Sequence, residues 1–148
     1  MKLSKIIQDP SVKASIVADC TELMETQVNA KSGITGLALK AAYRVAKSVG
    51  ASYIPGAVGR LLPALFEVLE PIWEEGVAAG DPVDYLAQNR SRTADTLLSL
   101  TDKRAQNSPP LVKSTYNKMR QSVQGDVEAA IPELAKIIGQ HLYAMQQA

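Results

Sequence analysis

The sequence predicts an all-α protein, and three observations carry that prediction. No segment alternates apolar and polar residues over the length of a strand, apolar residues recur three and four positions apart along nearly the whole chain, and helix-start signals punctuate it. The clearest start is Asp9-Pro10: the carboxylate can accept from the free N–H groups of the first turn, and proline at the first helical position gives up a donor that would be unpaired anyway. Asp81-Pro82 repeats the signal and Ser108-Pro109 offers a third. With 148 residues, 46% of them apolar and 21% charged, the chain can build a core without staples as one domain over residues 1–148. The expected architecture is a compact bundle of about six helices with a proline-kinked central segment.

Taken in order, a short turn is expected at Leu3 to Ile7 and a helix from Pro10 to Ala30. Val12, Ile16, Val17, Cys20, Leu23, Met24 and Val28 spread over a broad arc of that helix at about 100° per residue, which suits packing on two sides. A second helix, Thr35 to Val49, would turn Ile34, Leu37, Ala38, Ala41, Ala42 and Val45 inward and stop at a left-handed Gly50. Prolines 55, 63 and 71 each remove a helical donor and crowd the preceding turn, so residues 53 to 73 are expected as kinked or abutting short helices. A helix from Pro82 to Lys103 would present Val83, Leu86, Ala87, Ala94, Leu97 and Leu98 on one face. From Pro110 the pattern Leu111, Val112, Tyr116, Met119, Val123 runs to Gln124. Gly125-Asp126 then breaks the chain before a last helix with Val127, Ile131, Leu134, Ile138, Leu142 and Met145 inward, which Pro132 either kinks or begins.

Sixteen Lys plus Arg against fifteen Asp plus Glu leave a net charge of +1, too little for a global field that would gather nucleic acid or anionic lipid. One Phe, one Trp and five Tyr, with no basic run among them, give no base-stacking platform, so no nucleic-acid partner is expected. The N-terminal apolar run is too short for a signal peptide, and the single Cys20 cannot form an internal disulfide, so the expected setting is cytoplasmic. Ile54 to Trp73, the most apolar stretch, carries Arg60, Glu67, Glu70 and three prolines and makes a poor membrane span.

No enzyme signature is present: no phosphate loop, dinucleotide fingerprint, nucleophile elbow or His-Glu-x-x-His pair occurs, and one histidine with one cysteine cannot assemble a structural zinc site. Cys20 falls on an apolar arc and reads as a small core hydrophobe; His141 lies at the edge of the Leu134, Ile138, Leu142 stripe and reads as a packed, hydrogen-bonded ring. Glu67, Glu70, Glu74 and Glu75 cluster within two turns, but without Glu-x-x-His partners they read as a solvated acidic face. No catalytic residue, metal or cofactor is therefore assigned. Two sets of cations stand out. Lys40, Arg44 and Lys47 form a basic stripe that could hold an anion or lie on a membrane surface, and Arg90 projects from an otherwise apolar face, where it must find an ion-pair partner or an anion.

Lys31-Ser-Gly-Ile-Thr-Gly-Leu-Ala-Leu-Lys-Ala-Ala-Tyr43, followed by Ile54-Pro-Gly-Ala-Val-Gly-Arg-Leu-Leu-Pro63 and Leu69-Glu-Pro71, resembles a family of small uncharacterised bacterial helical proteins. The resemblance implies a bacterial cytoplasmic protein and no chemistry. By exclusion, the leading expectation is a non-catalytic interaction module that self-associates or takes an unknown protein partner through the segment from Ile54 to Trp73, with Tyr53, Leu62, Phe66 and Trp73 as anchors. The alternative is a carrier for a fatty-acid-like or other apolar small molecule held between kinked helices, with Lys40, Arg44 and Lys47 or Arg90 taking an acidic head group.

Overall fold

The computed structural model describes residues 2–147 and is helical throughout, with no strand among them. Eight helices follow one another: α1 (Leu3–Ile6), α2 (Pro10–Ala30), α3 (Gly33–Ser48), α4 (Tyr53–Ala79), α5 (Pro82–Gln88), α6 (Arg90–Ala105), α7 (Pro110–Met119) and α8 (Gln124–Gln147). The count exceeds the six expected from sequence because α1 is a helix in its own right and one expected helix is two.

Local chemistry explains the starts. Asp9 Oδ1 accepts from the N–H groups of Ser11 (2.9 Å) and Val12 (3.4 Å), and Asp81 Oδ1 accepts from those of Val83 (3.0 Å) and Asp84 (3.2 Å). Both helices begin at the following proline. The Ser108 signal is displaced by one residue: Pro109 is the N-cap, without a side-chain hydrogen bond, and Pro110 opens α7. Gly80, with φ +116°, terminates α4 in a conformation that L side chains rarely adopt. Gly50, expected to serve α3 in that way, does not have positive φ, and α3 ends instead on a right-handed Val49.

The prolines do not divide the centre of the chain. α4 is continuous over 27 residues with Pro63 and Pro71 inside it, and α8 likewise runs through Gly125, Asp126 and Pro132. Pro55 sits in the first turn of α4, where no donor is lost. Each interior proline costs about 3 kcal/mol. Against that cost, Leu62, Phe66, Leu69, Ile72 and Trp73 lie on one face and are all buried, each contributing about 1.5–3 kcal/mol. A break would move half of that face out of phase with the core.

The expected Pro82 to Lys103 helix does break, at Asn89, whose backbone (φ −108°, ψ 34°) leaves the helical region while its side chain donates to the Tyr85 carbonyl (2.9 Å). The break resets the phase, so that Arg90 opens α6 on the exposed surface and has no ion-pair partner among the described residues. Its neighbour Arg92 instead makes the bidentate pair, with Glu75 on α4 (2.9 and 2.7 Å).

The core is built from α2, α4, α6 and α8, with α1 packed on α4 and α8, and α5 seated on α4, α6 and α8. α2 touches α8, α4 and α3, consistent with its broad apolar arc. Gly76 of α4 lets α5 approach closely: a Cβ there would lie 2.7 Å from Pro82 Cα. Among the described residues, Trp73 Nε1 is buried without a hydrogen-bond partner. The pair α3 and α7 lies outside this core. α3 rests on α7, α2 and α4, whereas α7 rests on α3 and α6; only Gly36 is buried in α3 and nothing in α7.

Candidate functional site

Helices that bury almost nothing leave space beneath them. Between the α3/α7 pair and the core lies a half-open cavity of about 420 Å³. α2 contributes Cys20, Leu23, Met24, Gln27 and Val28; α3 contributes Leu39, Ala42, Tyr43 and Ala46; α4 contributes Val58, Leu61, Leu62 and Leu65. Val112, Thr115, Tyr116 and Met119 of α7 close another side, and Val127, Ala130, Ile131 and Leu134 of α8 form the floor. The space survives because Ala42, Ala46, Ala130 and Cys20 are small where a packed interior would place branched side chains. An apolar cavity of about 150 Å³ already stays dry and takes up benzene-sized molecules, and ligand pockets span about 300–1,000 Å³. This one is large enough for a small organic ligand.

Polar clasps rim the apolar walls. Tyr116 Oη donates to Asp102 Oδ1 (2.6 Å), Arg120 Nε donates to the same oxygen (2.7 Å), and Thr101 Oγ1 lies 2.7 Å from the Tyr116 hydroxyl, which together tie α7 to α6. Desolvation works to raise the Asp102 pKa, but the bonds from Arg120 and Tyr116 outweigh it and hold the carboxyl below its ordinary range. Burial and the Asp102 partner push Tyr116 up to about 12. On the opposite side Tyr43 Oη donates to Glu25 Oε1 (3.3 Å), joining α3 to α2, and burial with the Glu25 charge raises this phenol to about 12. Lys31, just after α2, reaches Asp126 of α8 (2.6 Å) and the Ser122 carbonyl (3.0 Å). Both tyrosines stay neutral at ordinary pH and tie α3 and α7 to the helices beside them through hydrogen bonds.

The sequence candidates fall into separate places. Phe66 and Trp73 are buried in the core behind the cavity, and Leu62 is buried while also lining it. None of the three is a surface anchor, because α4 is the central helix and its apolar face is covered by this chain's own neighbours. Tyr53 is half-buried at the start of α4 and away from the lining. Lys40, Arg44 and Lys47 line a second, smaller hollow of about 260 Å³ between α2 and α3, together with Glu25, Asn29, Val28 and Tyr43. Val28 and Tyr43 also line the main cavity, so the basic stripe stands beside its edge. Lys47 Nζ is 3.5 Å from Glu25 and 5.6 Å from the centre of the Tyr43 ring. Arg90 lines neither space.

The remaining reactive groups are not gathered at the cavity. His141 Nε2 is 2.8 Å from Asp19 Oδ2, a link between α8 and α2 outside the lining. Glu70 accepts from the Leu3 N–H (2.9 Å), and Glu75 is held by Arg92 and Tyr85, whose hydrogen bonds bring it down to about 2. No three His, Cys, Asp or Glu side chains among the described residues are grouped to hold a metal. Cys20 faces the cavity, but burial and then the charge of Asp19 push its thiol up to about 11, so it stays protonated and weakly nucleophilic.

A family model described as "Family of unknown function (DUF6918)" matches residues 3–142. The chain belongs to that family. The matched span includes every cavity-lining residue and all of α2 through α7. No curated protein and no solved structure matches the chain. The family description names no activity, in keeping with a sequence that resembles an uncharacterised group.

Of the α3 lining residues, Ala42 was expected inward, whereas Leu39, Tyr43 and Ala46 were not. Leu39, Ala42, Tyr43 and Ala46 are spaced i, i+3, i+4, i+7, but Ile34, Leu37, Ala38, Ala41 and Val45, with the shared Ala42, form a competing and bulkier apolar face. The bulkier face was expected inward, yet Ile34, Leu37, Ala38 and Ala41 are exposed. Tyr43 was the readable signal, since an aromatic ring with a polar tip suits a half-buried seam.

Proposed function

We propose that this member of the DUF6918 family is a non-catalytic binding protein for an apolar small molecule, held in the cavity beneath α3 and α7. The carrying observation is the cavity itself: about 420 Å³ with an almost wholly apolar wall, under two helices that contribute almost nothing to the core. A carrier rather than an enzyme is favoured because the reactive side chains lining the space are a protonated thiol, two neutral phenols and the Asp126 carboxylate, which Lys31 already holds at 2.6 Å. The basic stripe at the α2–α3 seam gives an acidic head group somewhere to rest while its chain occupies the cavity. A bacterial cytoplasm is the setting this reading assumes. Self-association through residues 54–73 has less in its favour, since Leu62, Phe66 and Trp73 are already spent inside the fold.

Mass spectrometry of the freshly purified protein under native and then denaturing conditions tests retention of a ligand, and titration with N-phenyl-1-naphthylamine tests the empty site. A discrete excess mass lost on denaturation, or dye uptake that the Ala46→Leu/Ala130→Leu double variant weakens, is expected. No bound mass together with no dye uptake, or uptake indifferent to the double variant, would remove the reading.

A further inference from the structure

The chain is nearly neutral, but its charge is unevenly distributed. α3 and α7 carry Lys40, Arg44, Lys47, Lys113 and Lys118 and no acidic residue. They hold five of the sixteen Lys plus Arg and none of the fifteen Asp plus Glu, which leaves the rest of the chain with eleven cations against fifteen acids. The cover is therefore a local cationic face on an otherwise acidic protein, a feature hidden in the net charge of +1.

Large aliphatic side chains also meet water on these two helices. Ile34 is 87% exposed, Leu37 68% and, on α7, Leu111 59%. Around α3 the order is regular: Leu39, Ala42, Tyr43 and Ala46 point to the cavity, Lys40, Arg44 and Lys47 follow on the flank, and Ile34, Leu37, Ala38 and Ala41 point away from the core. Aliphatic residues bordered by lysine and arginine on a helix lying across a surface match the requirements of the interface of an anionic bilayer, where apolar groups enter the acyl boundary and cations meet the head groups.

We propose that the outer face of α3 and α7 docks on an anionic lipid bilayer. A second copy of this chain fits the face poorly, because a two-fold contact would press two cationic surfaces together. Nucleic acid fits it poorly because aliphatic side chains offer no stacking platform. The bilayer satisfies both the charge and the exposed carbon. The inference stands on the surface alone and does not require the cavity to be filled.

Flotation with vesicles of phosphatidylcholine alone, and of phosphatidylcholine with phosphatidylglycerol, tests it. The wild-type chain is expected to float with the mixed vesicles at low salt and not with the neutral ones, and to come off as salt shortens the screening length from about 10 Å at 0.1 M to about 3 Å at 1 M. Replacing Lys40, Arg44 and Lys47 by Gln is expected to lower partitioning on the order of a hundredfold, about fivefold for each charge. Ile34→Ser with Leu37→Ser removes the apolar half of the contact and is expected to reduce partitioning at every salt concentration. All of these side chains lie outside the core, and circular dichroism verifies that the variants keep their helix content. Absence of partitioning at low salt, equal partitioning onto neutral vesicles, indifference to both sets of substitutions, or tighter binding to single-stranded DNA under the same conditions would each overturn the proposal. Dye uptake measured without vesicles reads the cavity separately, so failure of one idea is distinguishable from failure of the other.

Discussion

Ala130 and Ala135 stand five residues apart on α8, the first facing the cavity and the second fully buried in the core. Replacing each with leucine makes the same chemical change in opposite surroundings. At residue 130 the three added carbons enter open apolar space, worth about 0.8 kcal/mol each, and the ordered side chain loses about 0.5–1 kcal/mol of rotamer entropy. The net expectation is stabilisation by about 1.4–1.9 kcal/mol, which in a chain of this length raises the thermal midpoint by about 3–8 °C. At residue 135 there is no room, and overpacking is expected to cost about 1–3 kcal/mol. Thermal unfolding followed by circular dichroism, with urea titration to confirm an unchanged slope, measures both. If Ala130→Leu destabilises as much as Ala135→Leu, the space beneath α3 and α7 is filled in solution and the ligand-binding argument fails.

Two glycines of α4 give another contrast of sign. A Cβ at Gly59 would meet Val17 Cγ2 at an ordinary 3.6 Å, so Gly59→Ala is expected to add about 0.5–1 kcal/mol by restricting the unfolded chain; at Gly76 it would lie 2.7 Å from backbone at Pro82, so Gly76→Ala is expected to cost about 1–3 kcal/mol in the same urea assay. Glu75, lowered from 4.5 to about 2 first by the Arg92 and then by the Tyr85 hydrogen bond, binds its proton more weakly when folded. Its stabilising contribution is complete above pH 4.5 and is lost as pH falls towards 2, so Glu75→Gln is expected to flatten the decline of the thermal midpoint across that window; parallel curves for the two proteins would mean the pair does not form. The Cys20 thiol, raised to about 11, is expected to react with a disulfide reagent at pH 8 more slowly than a free thiol, and more slowly still with dye in the cavity; labelling at the rate of a free thiol would contradict its burial.

Much of the local structure was decided by short stretches of sequence. The class and the starts at Asp9-Pro10 and Asp81-Pro82 follow from apolar spacing and from a carboxylate beside a proline, interactions that span three residues and need nothing from the rest of the fold. The burial of Cys20 and the pairing of His141 were legible for the same reason, since each lies on or beside an apolar stripe of its own helix. Tertiary packing overruled propensity elsewhere. Pro63, Pro71 and Pro132 are carried through continuous helices because the faces they interrupt are worth more than the donors they lack, and the interruption at Asn89 turned Arg90 out to solvent. The cavity was not legible at all. Its existence depends on which of two apolar faces of α3 turns inward and on α7 packing over the same side, and periodicity within one helix says how a face is arranged but not what lies opposite it. A void is a relation between elements distant in sequence, so only the assembled fold determines it.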